Sequence, residues 1–184
     1  QIEVFIAIDY SQMEMRIMAQ VANDDELIRI FQSGEEDVHC AIGSIWTGWS
    51  YEDIKTDKDK RRLVKAFHFS VIYGKNPASL HQDLVGQGIK VSLQKVTEYH
   101  TNYFEAMDDV RTFIDTRPDF VLEHGYVENI LGFRVPIDAD PHRAEKGGFW
   151  KNQAANSPIQ GAAHQILLGC LALLRRNREK YKLI

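Results

Sequence analysis

Little in this 184-residue chain could serve as a cross-link or a metal cage. Its two cysteines, Cys40 and Cys170, stand far apart and outside any C-x-x-C spacing, and its seven histidines form neither H-E-x-x-H nor a Cys/His cluster. A disulfide framework and a structural zinc site are therefore not expected, and a reducing, cytoplasmic setting is. Long apolar runs are missing too. The longest, Ile166 to Leu174, is interrupted by Gly169 and falls short of the roughly 20 residues that a bilayer demands, so no membrane span is expected, and no stretch has the pattern of a signal peptide. Nor is there an excess of positive charge. A net charge of −4 argues against a basic coat for nucleic acid, so contact with such a partner would need a local patch. Internal repeats and low-complexity segments are also lacking.

What is present is an ordinary globular composition, 44% hydrophobic, enough for one core and a lobe beside it. The opening on Gln1 and the close on "YKLI", which reads as the start of a strand, lead us to expect an internal piece of something longer. Val4 to Ile8 is β-branched and aromatic and predicts a strand. From Met13 a helical spacing runs on through Ile17, Gln20 and Val21 to Ile28. A short helix is expected around His39 to Trp46, followed by the mixed-charge run "EDIKTDKDKRR" as a solvated loop or helix start. A strong helix over 61–73 stops at Gly74, with Pro77 soon after. Residues 92–115 predict one amphipathic helix, and 125–137 a β-hairpin turning around Leu131-Gly132. The last helix is expected from about Pro158, in its first turn, to Lys180.

The helix at Arg61 is the most informative. At 100° per residue, Arg61, Lys65, Phe69 and Tyr73 precess by about 40° each and share one broad face. Leu63, Val64, Ala66, Phe67, Ser70 and Val71 fall opposite and can pack on a core. The open face carries two cations and then two aromatics. Guanidinium and ammonium suit phosphate oxygens, and an aromatic face suits a base or a sugar. At the other end of the chain's logic, Asp9 closes an apolar strand, where it is either a turn residue capping the next helix or a metal ligand. Ser11 and Glu14 have the S-x-x-E spacing of a capping box.

Taken together, four segments resemble family A DNA polymerases, the bacterial DNA polymerase I group and its phage relatives. "RRLVKAFHFSVIYG" is similar to the family's nucleotide-binding helix, R-x3-K-x3-F/Y-x3-Y-G, through Arg61, Lys65, Phe69, Tyr73 and Gly74. "DYSQMEMR" resembles its first catalytic motif through Asp9, Tyr10, Ser11, Gln12, Glu14 and Arg16. "EDVH" matches a D-I/V-H segment through Asp37 and His39, and "NSPIQGAA" an N-x-P-x-Q-G segment through Asn156, Pro158, Gln160 and Gly161. The order is the family's, and nearly the whole chain is covered.

The resemblance implies an α+β, predominantly helical fold made of fingers helices and part of the polymerase palm. Residues 1–23 would be a palm segment, 24–148 the fingers with the nucleotide-binding helix 61–74 and the hairpin 125–137, and 149–184 a return to the palm. It implies transfer of a nucleotide from a dNTP to a primer 3′-hydroxyl on a DNA template, with two Mg²⁺ ions in the complete enzyme. Asp9 and the carbonyl of Tyr10 would be metal ligands, with Asp9 and Lys65 catalytic. Arg61, Lys65, Phe69, Tyr73, His39, Gln12 and Glu14 would bind the dNTP, with Glu14 paired to Tyr73 as a gate against the ribose 2′-hydroxyl. Asn156, Gln160 and Arg134 would meet DNA. The family's later His-Asp motif does not occur after Gln160, so the chain alone is expected to lack polymerase activity.

Departures from the family pattern include His68 and Ser70 where Asn and Gly are common, Ala162 for Thr, "AAHQ" for "TAAD", Asn152 for an Arg, and Phe133 for the first Arg of a Gly-Arg-Arg turn. They tilt the reading toward a phage replicative enzyme over a bacterial repair one. Two rivals stand beside it. A metal-dependent nuclease would explain Asp9 but not the Arg-Lys-Phe-Tyr face. A degenerate nucleotide- or DNA-binding module would explain that face but has no need of Asp9.

Overall fold

Six helix starts in this chain are set by short polar side chains. Asp24, Asp37, Ser50, Asp57, Asn76 and Ser92 each accept a hydrogen bond from a backbone N–H in the turn that follows, satisfying a donor the helix itself leaves orphaned. The computed structural model describes residues 8–34, 37–140 and 149–177. Within them the order is α1 (Met13–Ala22), α2 (Asp25–Ser33), α3 (Val38–Thr47), α4 (Tyr51–Thr56), α5 (Lys58–Ile72), α6 (Pro77–Gly86), α7 (Leu93–Ala106), α8 (Asp108–His124), β1 (Tyr126–Glu128), β2 (Arg134–Pro136) and α9 (Phe149–Arg176). The fold is predominantly helical, with one two-stranded antiparallel sheet among the described residues.

The main core is built around Trp46 of α3, fully buried, stacked on Phe67 of α5 at 4.2 Å and edge-on to Tyr99 of α7 at 5.1 Å. Gly43, one turn before Trp46, lets α3 and α5 approach closely, since a Cβ there would lie 2.8 Å from Val64 Cγ1. Any side chain at 43 would therefore force the two helices apart. A second, smaller core gathers Val121, Val127, Ile137, Trp150 and Ala154 where α8, the hairpin and α9 meet. α9 packs along α1 and α8, which brings its middle turns beside the start of α1.

The structure revises several element boundaries. The helical spacing expected from Met13 to Ile28 is split, because Asn23 adopts a left-handed conformation and Asp24 caps a new helix. The mixed-charge run is helical: Ser50 and Asp53 form a reciprocal capping box on α4, and Asp57 alone joins α4 to α5. Pro77, expected only to follow a helix stop, is the first residue of α6, where its missing N–H costs nothing. The single helix over 92–115 is two helices, because the buried Met107 leaves helical geometry at φ −118° and ψ 60°. Pro158 is buried well inside α9, which begins nine residues before it, at Phe149. The hairpin forms in the register Val127 opposite Val135, its loop held by Asn129 Oδ1 accepting from the N–H groups of Leu131 and Phe133. Of the strand expected over 4–8, residues 4–7 lie outside the described residues, as does the end of the last helix from 178 to 180.

By length and composition α9 could cross a bilayer. It carries Asn152, Gln153, Asn156, Gln160, His164 and Gln165, however, and hydrocarbon would leave those groups unpaired.

α5 ends as expected. Gly74 at φ 68° donates to Val71 and Lys75 donates to Ser70, the two bonds of a Schellman turn. A Cβ at Gly74 would also lie 3.1 Å from Asn152 Oδ1 of α9. Gly74→Ala is expected to cost about 1–2 kcal/mol through the left-handed backbone. A lower urea midpoint at unchanged m is the reading to look for; an unchanged midpoint would mean that the turn relaxes freely.

Candidate active site

α5 presents the face the helical wheel describes. Leu63, Val64, Phe67 and Val71 are buried, with His68, Ser70 and Ile72 beside them, and Ala66 is half-buried. Lys65 and Phe69 are exposed, Phe69 by 40% despite its apolar ring. Opposite them lie the turn at residues 9–12, the first turn of α1 and the middle of α9. The cleft between these elements has a volume of about 670 Å³, and Asp9, Tyr10, Gln12, Glu14, His39, Lys65, Phe69 and Gln160 line it. A second cleft of about 650 Å³ shares Lys65 and Phe69 and adds Lys58, Arg61, Arg62, Tyr73 and Lys75, with Asp83 as the acidic lining residue.

The turn after Asp9 is held from within the chain. Gln12 takes a left-handed backbone (φ 54°), an uncommon conformation for a side-chain-bearing residue, and Arg16 Nε donates to the carbonyl of Ser11 at 3.1 Å. The Arg16 guanidinium in turn lies 4.6 Å over the Phe31 ring. The capping box expected from Ser11 and Glu14 does not form: Gln12 stands at the N-cap, and no side chain caps α1. Glu14 is engaged elsewhere. Its Oε1 accepts from the Tyr73 hydroxyl at 3.1 Å, tying α1 to the end of α5. Burial first, and then the Glu14 carboxylate, push the Tyr73 phenol's pKa up, while Gln160 of α9 opposes them. Three elements thus meet at one phenol.

On the far side, Arg61 is joined to Asp37, the cap of α3, at 2.6 Å, and reaches Cys40 Sγ at 3.1 Å. Burial works against the Asp37 carboxylate, but the Arg61 hydrogen bond holds its pKa below the usual range. His39 is only 2% exposed. Burial, and next the Lys65 cation, push its pKa down to about 4, so it is neutral at physiological pH. Lys65, unlike Arg61, joins no ion pair among the described residues.

Asp9 is an exposed carboxylate on the cleft wall, and the chain continues through the carbonyl of Tyr10 beside it. The Tyr10 phenol's pKa is raised, chiefly by its hydrogen bond with Cys170. Oxygen donors of this kind suit a hard cation such as Mg²⁺, which takes one or two carboxylates and fills its shell with water and phosphate. Among the described residues no group of three or more His, Cys, Asp or Glu side chains could enclose a metal.

Residues 1–183 match the sequence profile of DNA polymerase family A. The chain belongs to DNA polymerase family A. It is 34% identical over 163 residues to a DNA polymerase I of Chloroflexus aurantiacus, covering 89% of this chain and 16% of that protein. It is 32% identical over 177 residues to the thermostable DNA polymerase I of Thermus thermophilus, covering 95% and 20%. Among solved structures it resembles the POL domain of Pol1 from M. smegmatis, in complex with DNA primer-template and dNTP, with a TM-score of 0.79, 29% identity, and 95% of this chain against 30% of that one. The chain spans a fifth or less of the length of these two polymerase relatives. Family A catalysis is metal-dependent, in keeping with the oxygen donors at Asp9 and Tyr10.

Of the residues that the family motifs single out, Asp9, Tyr10, Gln12, Glu14, His39, Lys65, Phe69 and Gln160 share one cleft, with Arg61 and Tyr73 in the adjoining one. Asn156 lies one turn before Gln160 on α9 and lines neither cleft; its Oδ1 is buried without a hydrogen-bond partner among the described residues. Arg134 is also away from them, bonded to Glu128 at 2.8 Å and stacked 4.5 Å from the Tyr126 ring. Among the lining residues not singled out as site residues, His164 carries a titratable side chain. His164 follows Gln160 by one helical turn, and the i, i+4 spacing from Gln160 was the available signal.

Proposed function

We propose that this chain is the nucleotide-binding part of a template-directed DNA polymerase that acts in a reducing, cytoplasmic setting on primer-template DNA and dNTPs. The observation that carries the reading is the convergence of Asp9, Lys65, Phe69, His39 and Gln160, from four separate elements, on one cleft. In this reading residues 1–23 and 149–184 belong to the palm, and 24–148 to the fingers. The primer 3′-hydroxyl gives up its proton to solvent as its oxygen forms a bond to the α-phosphorus of the dNTP, the bond to the bridging oxygen breaks, and pyrophosphate leaves with that electron pair.

Positioning and charge neutralisation dominate such chemistry. Lys65 stabilises charge on the α- and β-phosphates and gives a proton to the departing pyrophosphate. Arg61 and His39 contact the outer phosphates, Gln12 borders the nucleotide, and Phe69 lies against its sugar or base. Glu14 and Tyr73 fill the space that a 2′-hydroxyl would need. Asn156 and Gln160 probe the minor groove at the primer terminus, where every base pair offers purine N3 or pyrimidine O2 as an acceptor; Arg134 meets a DNA phosphate. Asp9 and the Tyr10 carbonyl would hold Mg²⁺, which when bound activates the attacking oxygen and steadies the leaving one.

The test is a primer-extension assay with the full-length protein, Mg²⁺ and dNTPs. Template-dictated extension with release of pyrophosphate is expected. Shortened primers would favour the nuclease reading, and tight binding without extension the binding module. The 184-residue chain by itself is expected not to extend primers.

A further inference from the structure

Behind His39 lies a buried chain of three rings. The Trp46 indole donates to His68 Nε2 at 3.0 Å, and His68 Nδ1 faces His39 Nδ1 at 3.1 Å. Both histidines are buried, and the ring of His39 reaches the cleft at its other edge. Gly43 makes the arrangement possible by letting α3, which carries His39 and Trp46, close on α5, which carries His68.

An indole N–H can only donate. His68 Nε2 is therefore the acceptor of that bond and carries no proton. The proton of neutral His68 must sit on Nδ1, which makes His68 Nδ1 the donor to His39. His39 Nδ1 must accept, and its own proton is left on Nε2. That nitrogen has no hydrogen-bond partner among the described residues. Protonating His39 would set two N–H groups head to head across 3.1 Å, so the relay opposes the cation.

We infer that Trp46 and His68 are positioning residues that hold His39 as a neutral imidazole, its proton on Nε2, ready to donate a hydrogen bond to a nucleotide phosphate oxygen in the cleft. The phosphate end of this inference rests on the polymerase reading; the tautomer does not. The groups facing His39 agree with it: Lys65 and Arg61 disfavour the imidazolium, Asp37 favours it, and burial outweighs Asp37. His68 is likewise held uncharged, by burial first and His39 second. An ordinary histidine titrates near 6.5, so its phosphate contact would strengthen as pH falls through that value. The His39 midpoint, about 4, lies well below the neutral range, so across that range its charge does not change and its contact is expected to be flat with pH.

Long-range ¹H–¹⁵N spectra of the full-length protein without nucleotide read the tautomer directly. His39 is expected to show a protonated Nε2 and an unprotonated Nδ1 from about pH 5.5 to 8. An Nδ1–H tautomer, or an imidazolium at pH 6, would overturn the proposal. His68→Asn can still donate an amide N–H to His39 and should keep the tautomer and the affinity for dATP on primer-template. His68→Leu cannot, and should give mixed tautomers and about tenfold weaker dATP binding, the scale of one hydrogen bond to a charged group. Trp46→Phe removes the donor, leaving a small cavity in the core, and should show the same tautomer mixing should the leucine variant fail to fold. If wild type binds dATP and the leucine variant binds it equally well, the phosphate contact is overturned. If wild type shows the tautomer but binds no dATP, the polymerase reading has failed, and the proposed phosphate end with it.

Discussion

Lys65→Ala in the full-length protein is expected to slow the chemical step by about 10²- to 10⁴-fold, the usual worth of a general acid, with a much smaller change in dNTP affinity. The reason is a shortage of proton donors on this side of the cleft. Arg61 is tied to Asp37, and a guanidinium does not give up a proton in proteins. His39 is neutral, and its remaining N–H is too weakly acidic to serve. Lys65 is exposed to the cleft and outside any ion pair among the described residues, and an ammonium can both neutralise phosphate charge and release a proton to pyrophosphate. Single-turnover kinetics across a range of dNTP concentrations separate the maximal rate from the dissociation constant. A defect confined to the dissociation constant would remove the acid role and leave Lys65 as a phosphate clamp.

Glu14→Ala is expected to raise incorporation of ribonucleotides relative to deoxyribonucleotides by roughly 10- to 100-fold. Forcing extra atoms into filled space costs about 1–3 kcal/mol, and each 1.4 kcal/mol is about tenfold. The structural basis is the 3.1 Å bond from the Tyr73 hydroxyl to Glu14, which fixes the phenol between α1 and α5. Without its acceptor the ring is free to turn aside, and the space for a 2′-hydroxyl opens. Ratios of incorporation efficiency for matched rNTP and dNTP pairs measure it. An unchanged preference would reduce Glu14 to a strut between two helices.

Glu14 also shows where local reading misleads. Ser11 and Glu14 have capping-box spacing, and a helix does begin there, yet the box does not form. Gln12 occupies the cap position in a left-handed conformation, and Glu14 bonds to a residue 59 positions away. A long-range acceptor for a half-buried phenol outweighed a local bond worth about 1 kcal/mol. The same competition explains Met107, where one periodic stretch became two helices because a core position drew the backbone out of register. It also explains Pro158, which looks like a helix start until α8 and the hairpin supply packing for the turns before it.

Residue order alone was enough for whatever depends on period and on neighbours within a few positions. The open face of α5, its stop at Gly74, the hairpin turn and the grouping of Arg61, Lys65, Phe69 and Tyr73 follow from 3.6-residue geometry and from the short range of caps and turns. Which distant groups would meet was settled by packing. That Asp9 faces Lys65 across a cleft, that Glu14 holds Tyr73, and that Trp46 and His68 stand behind His39 depend on how α1 packs on α9 and how closely α3 approaches α5. Those distances are set by side-chain volumes such as the missing Cβ of Gly43, for which a one-dimensional pattern has no coordinate.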